Sequence, residues 1–239
     1  MSENNQKEKI AIFGFKDSLV GQFIEISNIN NLYHIEYFIS VHELPNLNIK
    51  NEHINRPNNK TEFIIDGKIF GAPVYEGTDY IERLIRDKIK KVFVLEDYKK
   101  TRKEIIEKLI NSKINVLSYI HNSVYLGGHN SIGVGVIIFP QCYISYKTDI
   151  GTGTIIQSNS TIEHHNVVGD YCDINPNVTT GGFTNIGDFS TIHISTTIID
   201  RINIGKNCKI GAGSLVLNDC EEGYLYYGSP SKRARALNV

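Results

Sequence analysis

The stretch IGTGTIIQSNSTIEHHNVVGDYCDI, residues 150–174, carries an aliphatic side chain at every sixth position: Ile150, Ile156, Ile162, Val168 and Ile174. The frame extends both ways. Ile120, Leu126, Ile132, Ile138 and Ile144 precede it, and Ile186, Ile192, Ile198, Ile204, Ile210 and Val216 follow. Thr180 alone breaks the rule, and no insertion disturbs the register. A period of six fits neither an α-helix nor an alternating strand and is a signature of parallel β-helices. Four residues after an aliphatic position usually stands a small or polar residue, as at Cys142, Thr148, Thr154, Ser160, Asn166, Cys172, Thr184 and Ser190, with Val178 an exception. Each hexad therefore reads as a short strand and a tight turn, with the aliphatic side chain inward and the compact residue at a corner. Three hexads close one triangular coil, and coils stack at the ordinary strand spacing of about 4.8 Å. Gly133, Gly151, Gly169, Gly187 and Gly205 recur every 18 residues, which predicts a corner whose backbone conformation disfavours a Cβ.

Working outward, 239 residues leave room for a second domain. Net charge is -1 with acids and bases mixed, so no strong field exists to hold nucleic acid or an anionic membrane. No apolar run is long enough to span a bilayer and no signal-peptide pattern is present, so a cytoplasmic protein is expected. All four cysteines, Cys142, Cys172, Cys208 and Cys220, occupy the compact slot of the hexad. Cys172 and Cys208 share a column but lie two coils apart, about 9.6 Å, too far to bridge. A reducing compartment fits.

Residues 1–117 read as a small α/β (Rossmann-like) domain and 118–239 as the β-helix with a C-terminal tail. After a frayed start over residues 1–8, the pattern predicts a strand at Lys9–Phe13, a turn at Gly14–Asp17 and a helix from Ser18 to Ile26. A second strand follows at Ile35–Ile39, then an Asn-rich loop at Asn46–Lys60. A hairpin about Asp66-Gly67 joins Glu62–Ile65 to Lys68–Phe70. A helix over 77–90, a strand at Lys91–Leu95 and a charged amphipathic helix over 99–112 complete the pattern, which is that of a parallel sheet covered by helices. Ligands of such sheets sit at the carboxyl ends of the strands, here Gly14–Ser18, Ser40 and Glu96–Asp97. A nucleotide site and a purely structural domain both fit.

Candidate chemistry lies on the coil surface. Glu163-His164-His165 offers a base with an orienting partner, although a solvated strand face fits the same residues. His129 and His165 share a column, but Gly169 and Asp170 stand where a third zinc histidine would be needed, so no metal is expected. Gly181-Gly182-Phe183 exposes backbone N–H groups suited to a developing oxyanion, or simply marks a corner that needs glycine. The tail, Gly228-Ser229-Pro230-Ser231-Lys232-Arg233, follows the last coil, where it would cap it or meet a phosphate.

Together these features resemble the bacterial sugar O-acyltransferase family of hexapeptide-repeat proteins, which holds sialic acid O-acetyltransferases and UDP-4-amino-sugar N-acetyltransferases. The resemblance rests on the hexads, the Ile162–Asp170 segment, Gly71-Ala72-Pro73-Val74 and the Gly-x-Pro-x-Lys tail. It implies a left-handed coil, a homotrimer and acetyl-CoA as co-substrate. It implies His164 as the catalytic base. The next position normally holds Glu or Asp; here it is His165, which leaves Glu163 as another possible carboxylate partner. Contacts with acetyl-CoA are implied at Asp173 (commonly His), Gly182, Ile194, Ala212 and Lys232 or Arg233. The nucleotide-sugar turn becomes Gly14-Phe15-Lys16-Asp17-Ser18, and the acidic pair after the second strand becomes Ser40-Val41. The expected function is acetyl-CoA-dependent N-acetylation of a nucleotide-linked amino sugar for surface glycan synthesis, with no nucleic-acid or membrane partner. O-acetylation of sialic acid or a related nonulosonate is the alternative, and a non-catalytic scaffold is the rival of another class.

Overall fold

The computed structural model describes residues 7–15, 17–42 and 66–237. Most of the expected frayed start, the Asn-rich loop and the Glu62–Ile65 arm of the expected hairpin lie outside the described residues, as does Lys16. The chain forms two compact units: Met1–Asp97 with Glu107–Val116, and Tyr98–Ile106 with Leu117–Val239.

The first unit is built on one sheet of β1 (Glu8–Phe13), β2 (Tyr33–Ser40), β3 (Lys68–Ile69), β4 (Ala72–Glu76), β5 (Lys91–Val94) and β6 (Asn115–Val116). Its order is β3-β4-β2-β1-β5-β6, and only the β3–β4 pairing is antiparallel. The parallel part winds outward in both directions from β1, so the switch point lies between the carboxyl ends of β1 and β5. Ile10, Ala11, Ile12, Phe13, Val92, Phe93 and Val94 are all buried, the continuous apolar runs of strands covered on both faces. Asp66 and Gly67 both have positive φ, +50° and +70°, and the β3–β4 hairpin turns at Phe70-Gly71. Both turn residues have positive φ, +46° and +82°, the handedness that matches strand twist in a two-residue turn. The helix expected over 77–90 spans Tyr80–Arg86, preceded by Gly77 and followed by Lys88, both at positive φ.

In the second unit every hexad from Tyr119–Ile120 to Leu215–Val216 yields a two-residue strand, and successive hexads pass around three parallel sheets. Register is constant: Tyr119 N–H donates to Val136 O at 2.8 Å, Ile137 to Thr154 at 3.1 Å and Ile155 to Cys172 at 3.0 Å, always 17 residues on. The aliphatic column forms one continuous core. From Leu126 to Ile210 the third residue after each column position adopts the left-handed conformation, as at His129, Lys147, His165, Phe183 and Arg201.

The compact slot has a further reason. Thr154 Oγ1 donates to Gly169 O at 2.8 Å and accepts from Cys172 N–H at 3.0 Å. Ser190 repeats the pattern with Gly205 O and Cys208 N–H. Each corner hydroxyl thus satisfies two backbone groups that a buried turn would otherwise strand. Thiols serve as poorer donors, and burial pushes Cys142 to about 11 and Cys172 to about 12, which keeps them neutral. The glycine column proves to serve close approach, not a special dihedral. A Cβ on Gly151 would lie 2.4 Å from Gly169 C in the next coil, and Gly151 has no positive φ.

At the C-terminal end Tyr224–Tyr227 pairs with Lys209–Ile210 and, antiparallel, with Lys232–Ala236. Tyr226 continues the Ile210 column, is buried, and accepts Glu221 N–H at 2.8 Å through its hydroxyl. The tail therefore caps the coil.

The first turns of the helix Lys99–Asn111 belong to this unit. Arg102 is wholly buried and donates to Asp173 Oδ1 at 2.7 Å, while Lys99 Nζ donates to Phe189 O at 2.6 Å and Thr191 Oγ1 at 2.5 Å. Removing one partner of a buried pair strands the other charge. Asp173→Ala is expected to lower stability by about 3 kcal/mol, read by chemical denaturation; a change under about 1 kcal/mol, the worth of an exposed pair, would show the pair to be dispensable.

Candidate active site

Thr180, the lone break in the aliphatic column, lies beneath the histidine segment and explains its own presence. Asn166 fills the compact slot with an amide too large for that corner alone, and it is buried. A buried amide needs partners. Asn166 Oδ1 accepts Thr184 N–H at 2.7 Å, and its NH2 donates to Thr180 Oγ1. Thr180 Oγ1 also lies 3.1 Å from Glu163 N–H, which donates to it. The break in the aliphatic column and the amide in the compact slot are thus one network, and it pins both ends of the turn that holds His164 and His165.

His165 occupies the left-handed turn position, φ +57°. Its ring stacks on Phe183 at 4.7 Å with planes 13° apart, and Tyr146 meets it edge-on at 5.7 Å. The Arg201 guanidinium covers Phe183 at 4.8 Å. His164 is exposed, with its ring against Gly182, where an added Cβ would lie 2.5 Å from Cε1 and 2.9 Å from Nε2. Glycine at 182 is therefore what lets the imidazole settle there. The two histidines meet through Nδ1 atoms 3.1 Å apart, with rings at 88°. Glu163 does not join them: its carboxylate accepts the His164 backbone N–H at 3.3 Å. The Gly182 amide makes no hydrogen bond among the described residues. An exposed imidazole oriented by a clamped one, beside an unused N–H, is equipped to take a proton and to receive negative charge on oxygen.

The other sequence candidates fall in three places. Ile194 and Ala212 are exposed one above the other at one corner, tied by Gly213 N–H to Ile194 O at 2.9 Å. Lys232 lies on the capping strand opposite Tyr227. Asp173 is paired within the protein: its carboxylate accepts from Arg102 and lies 3.7 Å from Lys99. Burial pulls the Lys99 ammonium below its ordinary value, and Asp173 opposes that.

In the first unit, Gly14, Phe15 and Ser40 gather at the carboxyl ends of β1 and β2. A Cβ on Gly14 would lie 2.4 Å from Leu95 O, so only glycine passes this crossing. Ser40 is buried and donates to His42 O at 2.7 Å. Glu96, also buried, follows β5 and lies 3.4 Å from His42 Nε2. Sequence reading passed over His42, although a histidine just past a strand end was a signal.

No family model and no curated relative matches the chain. Solved structures do. A GDP-perosamine N-acetyltransferase from Caulobacter crescentus, in complex with CoA and GDP-perosamine, superposes with TM-score 0.80 at 18% identity, covering 95% of this chain and 97% of that one. The acetyltransferase domain of PglB from Neisseria gonorrhoeae gives 0.78, with 95% and 100% covered at 18% identity, and is also known in complex with acetyl coenzyme A. WeeI from Acinetobacter baumannii gives 0.74 with the same coverage and identity. The likeness establishes the fold: a small α/β domain followed by a left-handed parallel β-helix. Among the described residues no helix is long and apolar enough to cross a membrane, and no group of three or more His, Cys, Asp or Glu side chains is placed to hold a metal ion.

Thr180→Val keeps the volume but removes the acceptor for Glu163 N–H and Asn166. It is expected to lower stability by about 1–3 kcal/mol, or about 2–4 °C in melting temperature per kcal/mol; an unchanged melt would refute the network. His193, one residue before Ile194, gives a pH test. Its Nδ1 lies 3.2 Å from the Asn175 side-chain amide. Burial, then Lys209 and Lys99, hold its pKa below the ordinary 6.5. The unfolded chain binds the proton more tightly, so this stability is present above 6.5 and lost as pH falls through the lowered value. Melting temperature should fall between about pH 7 and 5, and less steeply in His193→Gln; parallel curves would dismiss the assignment.

Proposed function

We propose that this protein is an acetyl-CoA-dependent N-acetyltransferase whose acceptor is the amino group of a nucleotide-linked sugar, destined for a surface glycan. The observation that carries the proposal is the site itself: an exposed His164, oriented through Nδ1 and seated on Gly182, in a chain of this fold from end to end. The amine nitrogen attacks the thioester carbonyl. His164 Nε2 accepts the amine proton, and the Gly182 N–H faces the tetrahedral oxyanion. Collapse breaks the carbon–sulfur bond, and His164 returns the proton to the departing thiolate. Ile194 and Ala212 offer an apolar edge for the pantetheine, and Lys232 a cation for its phosphates. Gly14, Phe15, Lys16 and Ser40 are the proposed nucleotide-sugar end, as the switch point of the sheet supports.

Nitrogen is favoured over oxygen as the acceptor because, among the described residues, no carboxylate is bonded to the imidazoles. A hydroxyl needs a stronger base than a free amine does. The flat outward columns, Thr161, Thr179 and Thr197 with the stacked Tyr125–Tyr143 pair, support a closed homotrimer about a threefold axis. Four buried free thiols support a reducing, cytoplasmic setting.

Acetyl-CoA at 100 times its Kd should stabilise the fold by about 2.7 kcal/mol. His164→Ala should keep that shift yet lose about 10²- to 10⁴-fold in transfer to GDP-perosamine or a UDP-4-amino sugar. A cooperative melt that acetyl-CoA leaves unmoved would instead favour a non-catalytic scaffold.

A further inference from the structure

The contact between the two histidines leaves room for one hydrogen. With Nδ1 atoms 3.1 Å apart, neutral rings can share a single N–H: one Nδ1 donates and the other accepts. The choice sets the chemistry. If His165 donates, the His164 proton must sit on Nε2, and that nitrogen cannot act as a base. If His164 donates, its Nε2 lone pair is free over Gly182.

The surroundings divide the roles. His165 is the held ring, with one face on Phe183, Tyr146 edge-on, its backbone N–H bonded to Tyr146 O at 3.0 Å and its φ fixed by the coil. His164 is the exposed ring. Among the described residues no carboxylate is bonded to either ring, and Glu163 Oε2 accepts the His164 backbone N–H instead.

We propose that His165 is a positioning residue, an uncharged acceptor that holds His164 in its Nδ1–H tautomer and so makes Nε2 the base. This rests on the transferase reading. During transfer the amine proton binds His164 Nε2 while the Nδ1–H stays directed at His165 Nδ1. The same Nε2 proton then passes to the CoA sulfur, and the pair returns to its starting state. His165 carries no charge to hold the imidazolium back, so the proton is released readily to the leaving thiolate.

Long-range 1H–15N correlation of ¹⁵N-histidine-labelled protein at about pH 8, where an ordinary imidazole is neutral, reads the tautomer directly. Single His→Gln variants assign the signals. The expected result is a protonated Nδ1 and a bare Nε2 on His164; a proton on its Nε2 overturns the proposal. Kinetics with acetyl-CoA and GDP-perosamine give a second readout. His165→Asn keeps an acceptor and suits a left-handed corner, so its kcat should stay within about tenfold of wild type, whereas His165→Phe keeps the stack but not the acceptor and should lose about 100-fold with KM for acetyl-CoA unchanged. Equal kcat in these two variants also overturns it. Failure of the wild type to acetylate GDP-perosamine would count against that acceptor and the transferase reading, while the tautomer measurement, which needs no acceptor, still decides this one.

Discussion

The backbone hydrogen bond from each strand residue to the carbonyl 17 positions on is the constraint from which the rest of the second unit follows. It makes every residue the neighbour of the one 18 further along, so the sequence is stacked into columns. A column inherits one environment throughout. Inward positions must be aliphatic, the turn must accept a left-handed residue, and the corner must carry a group able to bond two backbone atoms at once. A single insertion would move every later side chain to the wrong column, which is why the hexads run without one.

That regularity gives its exceptions meaning. Thr180 looks like a lone flaw in the pattern, yet Asn166 in the compact slot is its partner, and together they hold the turn that presents His164. A buried polar pair in an aliphatic column is destabilising unless every group is satisfied. Here the satisfied groups include the backbone leading into the candidate base. Sites tend to appear where local rules are broken and the break is compensated.

Legibility followed the same division. The coil was readable because a six-residue period repeats one environment many times, and the histidine segment stood out against it. The first unit repeats nothing, and its surprises were local. Ala72–Glu76 forms a full parallel strand although Pro73 disguises it; at β4 the proline sits where the two-residue β3 ends its pairing. The β3–β4 turn at Phe70-Gly71 went unread because a bulky aromatic gives no sign that it will accept positive φ. The partner of Asp173 was unreadable, since Arg102 is 71 residues away in sequence and no periodicity links them.

Asp173 shows how one departure reshapes a surface. On its column, Ile137 and Ile155 are buried, and Ile106 approaches Gly153 closely enough that an added Cβ would lie 3.0 Å from its Cδ1. The helical segment 98–106 therefore lies on an apolar strip that Asp173 interrupts. A carboxylate there demands a cation, and burial of Arg102 and Lys99 supplies two. A neutral histidine at 173, the residue the resemblance favours, would lack the carboxylate oxygen to which Arg102 donates at 2.7 Å. The departure at 173 and the cations at 99 and 102 are thus one arrangement.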